Sequence, residues 1–299
     1  MDLSAGPIVL DGGLGTLLEA RGHDLSDPLW SARLLADDPD AIRAAHAEYF
    51  AAGAQVAITA SYQVGFSTLA RRGFSAGDTE RMLRASVDLA ASARSTAVGG
   101  DMPRWIAASI GPYGATLGDG SEYRGASGLT RDELRRWHEP RFAVLADAGA
   151  DLLAIETIPT LDEAAALVDL ARGSGRPAWL SFTVEGGRLR SGQPMADGFA
   201  LANSADEIVA VGINCSHPDE VPGAIAAARS VTDRPVVVYP NSGERWDAAA
   251  RVWRGAAGLP EDDRAAGASL VGGCCRVGPA DIARMRSRVR AGGPTDGLR

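Results

Sequence analysis

Eight short apolar runs alternate with helical stretches along the 299-residue chain, which predicts a single (β/α)8 (TIM) barrel over residues 1–299. Three observations carry that expectation. The runs are apolar throughout, as in parallel strands buried on both faces. No composition break or low-complexity linker divides the chain. The turn after the first run, Asp11-Gly12-Gly13-Leu14-Gly15-Thr16, does not keep the Gly-x-Gly-x-x-Gly spacing that the rival fold, a doubly wound open sheet, more often carries.

Ile8-Val9-Leu10 is the first predicted strand, closed by Asp11-Gly12-Gly13. Asp38-Pro39-Asp40 opens a helix through Ala52, with Ile42, Ala45 and Tyr49 at helical spacing. Gln55–Thr59 is the second strand, followed by Ala60-Ser61-Tyr62-Gln63. A helix from about Asp78 to Ala97 precedes the third strand, Trp105–Ile110. Residues 113–129 form a long glycine-rich loop, a length usually reserved for function or mobility. Thr130, with Glu133 three residues on, reads as a capping box for the next helix. Leu152–Ile155 is strand four, ending at Glu156-Thr157. Ala178–Phe182, Val209–Ile213, Pro235–Tyr239 and Ser269–Val271 complete the set. Helices over Asp162–Arg172, about 196–203, Val221–Arg229 and Pro279–Val289 lie between and after them.

Hydrophobic residues make up 45% of the chain, enough for a large core, and the net charge of −8 argues against nucleic acid or an anionic membrane as the main partner. No apolar run approaches the roughly 18 residues of a membrane span, and the first residues lack a signal-peptide pattern, so a cytoplasmic location is expected. Small-molecule partners are expected, and the oligomeric state is not readable.

All three cysteines stand where a strand stops: Cys215 after Val209–Asn214, and Cys274 and Cys275 after Ala268–Val271 and two glycines. In a barrel the chemistry sits at those strand ends. A reducing compartment disfavours disulfides, which leaves free thiols or metal ligands. Three thiolates with one open position describe a catalytic Zn2+ site, because structural zinc closes all four positions. Gly272 and Gly273 would remove crowding side chains there and permit positive φ. Three other readings stand beside this one: small buried core cysteines, a strained vicinal disulfide at Cys274-Cys275, and a phosphate cradle at Gly272-Gly273. A zinc site of this kind suits a fourth sulfur. A free thiol near pKa 8.5 is mostly protonated at neutral pH, and the metal would make it a thiolate nucleophile.

The motifs that carry these residues resemble the homocysteine S-methyltransferases. They are Asp11-Gly12-Gly13-Leu14-Gly15-Thr16, Thr59-Ala60-Ser61-Tyr62-Gln63, Glu156-Thr157-Ile158-Pro159, Gly212–Pro218, Tyr239–Glu244 and Gly272–Arg276, and the resemblance runs in order from Ile8 to about Arg284. It implies a (β/α)8 barrel and a zinc held by Cys215, Cys274 and Cys275. It implies that Asp11 and Glu156 hold the amino group of homocysteine, and that Thr59, Ser61, Tyr62 and Asn214 line the amino-acid pocket. Without the resemblance, the two acids read as cap or loop residues and the other four as strand-end hydrogen bonding. A short chain with the loop Gly120-Ser121-Glu122-Tyr123-Arg124-Gly125 looks most like the enzymes that use S-methylmethionine, or less well S-adenosylmethionine. Tyr123, Glu122 and Trp246 are candidates for the sulfonium side. The same chemistry on another small thiol or selenol is one alternative, and a cysteine-based metal or redox sensor without turnover is another.

One stretch departs from the family pattern. Between Glu244 and Gly272, the segment Gly258–Gly267 has room for only a turn or two of helix, which questions the rigidity of the cysteine loop and suggests cover by a partner chain. Among the histidines, His46 and His138 read as surface or packing residues on helices. His217, two residues after Cys215, reads as a loop hydrogen-bonding group rather than a ligand, since three sulfurs and a substrate fill a tetrahedron.

Overall fold

The structure is a computed structural model that describes residues 6–25, 27, 29–97, 102–125, 127–247, 252–255 and 265–291. Eight parallel strands appear where the apolar runs predict them: β1 Ile8–Val9, β2 Val56–Ile58, β3 Trp105–Ile110, β4 Leu152–Ile158, β5 Ala178–Phe182, β6 Ile208–Asn214, β7 Val236–Tyr239 and β8 Leu270–Val271. Each pairs with its sequence neighbour from β2 to β8, and β8 pairs with β1. A parallel bridge between Leu10 and Val56 joins the remaining seam. The chain therefore forms a (β/α)8 barrel.

Alternation along the strands divides the core into two layers. Ile8, Leu10, Val56, Ala154, Trp179, Val237 and Leu270 point inward and pack on one another. Val9, Ala57, Ile106, Leu153, Leu180, Val211 and Val271 point outward and bury the apolar faces of the helices. Both faces are dry, which is why the runs read as continuously apolar.

The helices begin where cap residues direct them. Asp38 accepts from the Ala41 amide at the head of Pro39–Ala51, 3.2 Å away. Thr130 and Glu133 form the expected reciprocal box at Arg131–Asp147. Ser75 and Asp78 form a second one, and their helix starts at Ala76, slightly earlier than its apolar stripe suggests. Short helices at Leu14–Ala20, Trp30–Asp37 and Phe66–Ala70, a hairpin at Val184–Leu189 and the antiparallel pair Arg245–Asp247 with Val252–Arg254 were not anticipated. They are too short for periodicity to register. Most of the segment Gly258–Gly267 lies outside the described residues; its end, 265–267, is a turn. Among the described residues no helix is long and apolar enough to cross a membrane.

Candidate metal and substrate site

The C-terminal strand ends bring the three cysteines together. Cys215 follows β6 and Cys274 and Cys275 follow β8, the two strands that flank β7. Their three sulfurs lie within 4.8 Å of one another. Tetrahedral zinc–sulfur bonds of about 2.3 Å place ligand sulfurs roughly 3.8 Å apart, so side-chain rotation alone spans the difference. The sulfurs of Cys215 and Cys274 meet directly, with their Cα atoms 5.5 Å apart, and Cys275 completes the group. Burial pushes the Cys275 thiol up to about 11, with the carboxylates of Glu122 and Glu156 adding to the rise. A thiolate there needs a cation beside it, so the donor set fits a thiophilic divalent ion.

The cysteine loop is held from several sides. Gly273 N–H donates to Asp11 O at 3.1 Å and Cys274 N–H to Pro240 O at 2.8 Å. Ser242 N–H donates to Cys275 O at 3.1 Å. Arg276 N–H donates to Thr16 Oγ1 at 2.8 Å, and its Nε to the buried Glu244 at 3.0 Å. These anchors come from the ends of β1 and β7. A Cβ on Gly272 would lie 2.6 Å from Leu10 Cβ, and one on Gly273 would collide with the Val277 side chain. Crowding therefore selects these glycines. Neither has positive φ, contrary to expectation.

Two buried acids face the same mouth. Asp11 ends β1 and accepts from Ile58 N–H at 2.8 Å through Oδ2, while its buried Oδ1 has no partner among the described residues. Glu156 lies in β4 beside an irregularity in its pairing with β5. It accepts from Ser109 Oγ through one oxygen and from Tyr239 OH at 3.0 Å through the other. Burial pushes Glu156 up to about 7 against the pull of those two hydroxyls. Burial also holds Asp11 well above the usual carboxylate range, and the Glu156 charge adds to it. Two acids strained in this way attract a cation that is itself a hydrogen-bond donor, as an α-ammonium is.

A model of the family described as homocysteine S-methyltransferase matches residues 8–289. The chain belongs to the homocysteine S-methyltransferase family. It is 43% identical over 298 residues to the homocysteine S-methyltransferase YbgG of Bacillus subtilis (strain 168), with 95% of each chain covered. The metallated form of the homocysteine methyltransferase MmuM from Escherichia coli superposes with a TM-score of 0.83 at 41% identity, over 94% of this chain and 96% of that one. Its oxidized form superposes with a TM-score of 0.84 at the same identity and coverage.

In this homocysteine S-methyltransferase family member the other pocket candidates are already engaged. Thr59 and Ser61 share a hydrogen bond of 2.8 Å; Ser61 donates to Ser109 O at 2.7 Å, and Ser109 N–H donates to Thr59 Oγ1 at 3.0 Å. Asn214 accepts from Thr157 N–H and Ser181 Oγ, both at 2.8 Å, and donates to Thr157 Oγ1 at 2.7 Å. These bonds fix strand ends. The Tyr62 hydroxyl is buried, with the Thr157 side chain beside it. His217 accepts from Asp219 N–H at Nδ1, so its Nε2–H donates to Gly243 O at 3.1 Å, the loop role expected of it. His46 and His138 are both fully buried, which rules out the surface half of their reading. The side chain of Trp246 lies outside the described residues.

The sequence did not single out Ser109, Trp179, Arg141 or Glu163. Trp179 Nε1–H donates to Tyr239 OH at 3.0 Å, which aims that hydroxyl at Glu156. The fully buried Arg141 donates to the carbonyls of Ser61, Tyr62 and Gly111 at 3.1–3.3 Å and so ties the end of β2 to the end of β3. Glu163 accepts from Tyr113 N–H at 2.6 Å and bonds His138 at 2.9 Å. Ser109 had a signal, a hydroxyl inside an otherwise apolar run. Arg141 had none, because a helix arginine reads as solvent-facing.

Proposed function

We propose that this chain transfers a methyl group from a sulfonium donor, S-methylmethionine before S-adenosylmethionine, to the thiol of L-homocysteine, forming methionine. One arrangement carries the reading: three sulfurs that can share one ion lie at the same strand ends as two buried, under-neutralised acids. Cys215, Cys274 and Cys275 would hold Zn2+, which when bound supplies the positive charge that makes the incoming thiol a thiolate. Asp11 and Glu156 receive the α-ammonium, and Ser109 and Tyr239 keep Glu156 turned toward it. Thr59, Ser61, Tyr62 and Asn214 shape the walls around the amino acid. The acceptor sulfur attacks the methyl carbon as the bond to the donor sulfur breaks, and the electron pair leaves on that sulfur, now a neutral sulfide. Positioning of this sort supplies roughly 7–11 kcal/mol of a barrier in favourable cases. The work falls within a single barrel domain on small-molecule partners, and thiolate ligands favour the reducing cytoplasm.

The test is metal analysis of reduced protein, with a donor panel of S-methylmethionine, S-adenosylmethionine and betaine and homocysteine as acceptor. About one zinc per chain and methionine from the sulfonium donors are expected. Full turnover in zinc-free protein, or transfer from betaine alone, would overturn the reading.

A further inference from the structure

The hairpin after β5 joins the cysteine corner of the mouth to the long loop after β3. Val184 and Leu189 face each other across it and are buried in the core, so alternation puts Thr183, Glu185 and Arg190 on its other face. Thr183 belongs to the cysteine corner: its Oγ1 donates to Cys215 O at 3.2 Å, and the next amide, Val184 N–H, donates to Ser216 Oγ at 2.9 Å. Arg190 reaches back to it from the far strand of the hairpin. Its Nη1 donates to Glu185 at 2.7 Å and its Nε to Thr183 Oγ1 at 3.5 Å. The Arg190 side chain is only 18% exposed, so packing fixes it as well as charge.

The same guanidinium lies over the Tyr123 ring, with Cζ 5.7 Å from the ring centre. Tyr123 belongs to the second of two short turns, Tyr113–Leu117 and Ser121–Tyr123, which fold back on each other as Ser121 Oγ donates to Gly114 O at 3.2 Å. The backbones of loop and hairpin also touch. A Cβ on Gly125 would lie 2.4 Å from Ser191 N and 2.5 Å from Arg190 O, and Gly125 has a φ of 68°. Only glycine fits there. Glu163 fixes the other end of the loop by accepting Tyr113 N–H. The loop 113–125 is thus clamped at both ends, and Arg190 is the clamp nearer the cysteines. The Tyr123 ring, a candidate for the sulfonium side, stacks on the chain's own cation.

We infer that Arg190 is a positioning residue for the methyl donor: it fixes the loop 113–125 against the strand end of Cys215 and so sets where the donor lies relative to the acceptor sulfur. This rests on the methyl-transfer reading above. The acceptor does not need Arg190, because Asp11, Glu156 and the cysteines stand on β1, β4, β6 and β8. In a barrel the loops above the strand ends complete the site, and the loop tied to the cysteine corner is the one placed to orient the second substrate. A misplacement of about 1 Å costs on the order of 100-fold in rate, so a loosened loop should cost about tenfold or more.

The test uses reduced, zinc-loaded protein with S-methylmethionine as donor and homocysteine as acceptor. Arg190→Met keeps the stem and removes the cation, Tyr123→Leu removes the ring, and a third variant carries both changes. Each single change should lower the donor kcat/KM about tenfold or more, with zinc content and calorimetric homocysteine affinity unchanged. The double variant should lose little beyond the worse single one, since both break one contact. Tyr123→Phe, which keeps the ring, should recover most of the loss of Tyr123→Leu. Trypsin should cut after Arg124 faster in both single variants than in wild type, with fragments identified by mass spectrometry. An unchanged donor kcat/KM, an unchanged cleavage rate, or losses that multiply in the double variant would each overturn the assignment. So would zinc content or homocysteine affinity falling together with the donor kcat/KM, which would make Arg190 a support of the fold alone. No methionine from wild type would defeat the methyl-transfer reading itself; cleavage after Arg124 separates that outcome, because it reads the clamp without turnover.

Discussion

Glu156→Gln should make the metal-free protein more stable at alkaline pH while removing its affinity for homocysteine. The carboxyl moves from an ordinary value of 4.5 to about 7 on folding, a rise of about 2.5 that burial causes. At 1.36 kcal/mol per unit, ionised Glu156 costs the fold about 3 kcal/mol. Between pH 4.5 and 7 the unfolded chain has released this proton while the folded chain still holds it. Stability from this group is thus fully present below 4.5, falls as pH rises through 7, and stays low beyond. Glutamine has no proton to lose. Its carbonyl can accept from one of Ser109 and Tyr239, and its amide can donate to the other, so the local bonds survive. Asp11 gains as well, because the charge that helped raise it is gone. The variant should exceed wild type by up to about 3 kcal/mol at pH 8 and match it near pH 4.5. Thermal unfolding in chelator at several pH values reads this out, at roughly 2–4 °C per kcal/mol for large domains. Calorimetric titration of the zinc-loaded protein with homocysteine reads the loss of binding. A variant equally destabilised at both ends of the pH range would show that no charge-burial penalty exists. Undiminished homocysteine binding would remove Glu156 from the ammonium pocket.

Three further substitutions address the supports. Cys274→Ser should lose zinc and methyl transfer together, by metal analysis and methionine production, since two sulfurs and a hydroxyl make a poor site for the ion. Asn214→Ala leaves Thr157 N–H and Ser181 Oγ buried without an acceptor and should cost about 2 kcal/mol or more, at roughly 1–3 kcal/mol per orphaned donor; denaturant midpoints measure it. Arg141→Lys keeps the charge but cannot fork across three carbonyls, so the homocysteine KM should rise with zinc content unchanged.

The barrel was legible because eight strands buried on both faces leave a one-dimensional trace in the chain. The cysteines were legible for a related reason: a polarisable ligand directly after an apolar run marks a strand end, and in a barrel strand ends converge. What the sequence concealed was the wiring behind them. Arg141 sits on a helix whose exposed face is rich in charge, and nothing in its spacing separates it from Arg135 or Arg136. It lies buried beneath the mouth because three carbonyls at strand ends have spare lone pairs there and need a donor. Thr59, Ser61 and Asn214 were assigned to the pocket through the family resemblance, and their hydroxyl and amide groups also bond neighbouring strand ends.

The backbone shows where that wiring has been put to use. Among the described residues, only Thr157, Cys215 and Arg276 have positive φ without being glycine, at 59°, 47° and 66°. All three follow or end strands at the mouth. Thr157 is β-branched, for which this conformation is a genuine outlier costing of order 1–3 kcal/mol. Each is held by a group whose own place is fixed. Asn214 clasps Thr157 at both backbone N–H and hydroxyl. Tyr239 O receives Cys215 N–H at 3.3 Å, and Thr16 receives Arg276 N–H. Glu156 and Cys275 each stand next to one of these residues, and Cys215 is one of them. A chain selected for stability alone would have glycine at these positions. Retaining side chains there makes sense when the position of a neighbouring sulfur or carboxylate is worth more than the strain, which is the condition a methyl-transfer site imposes.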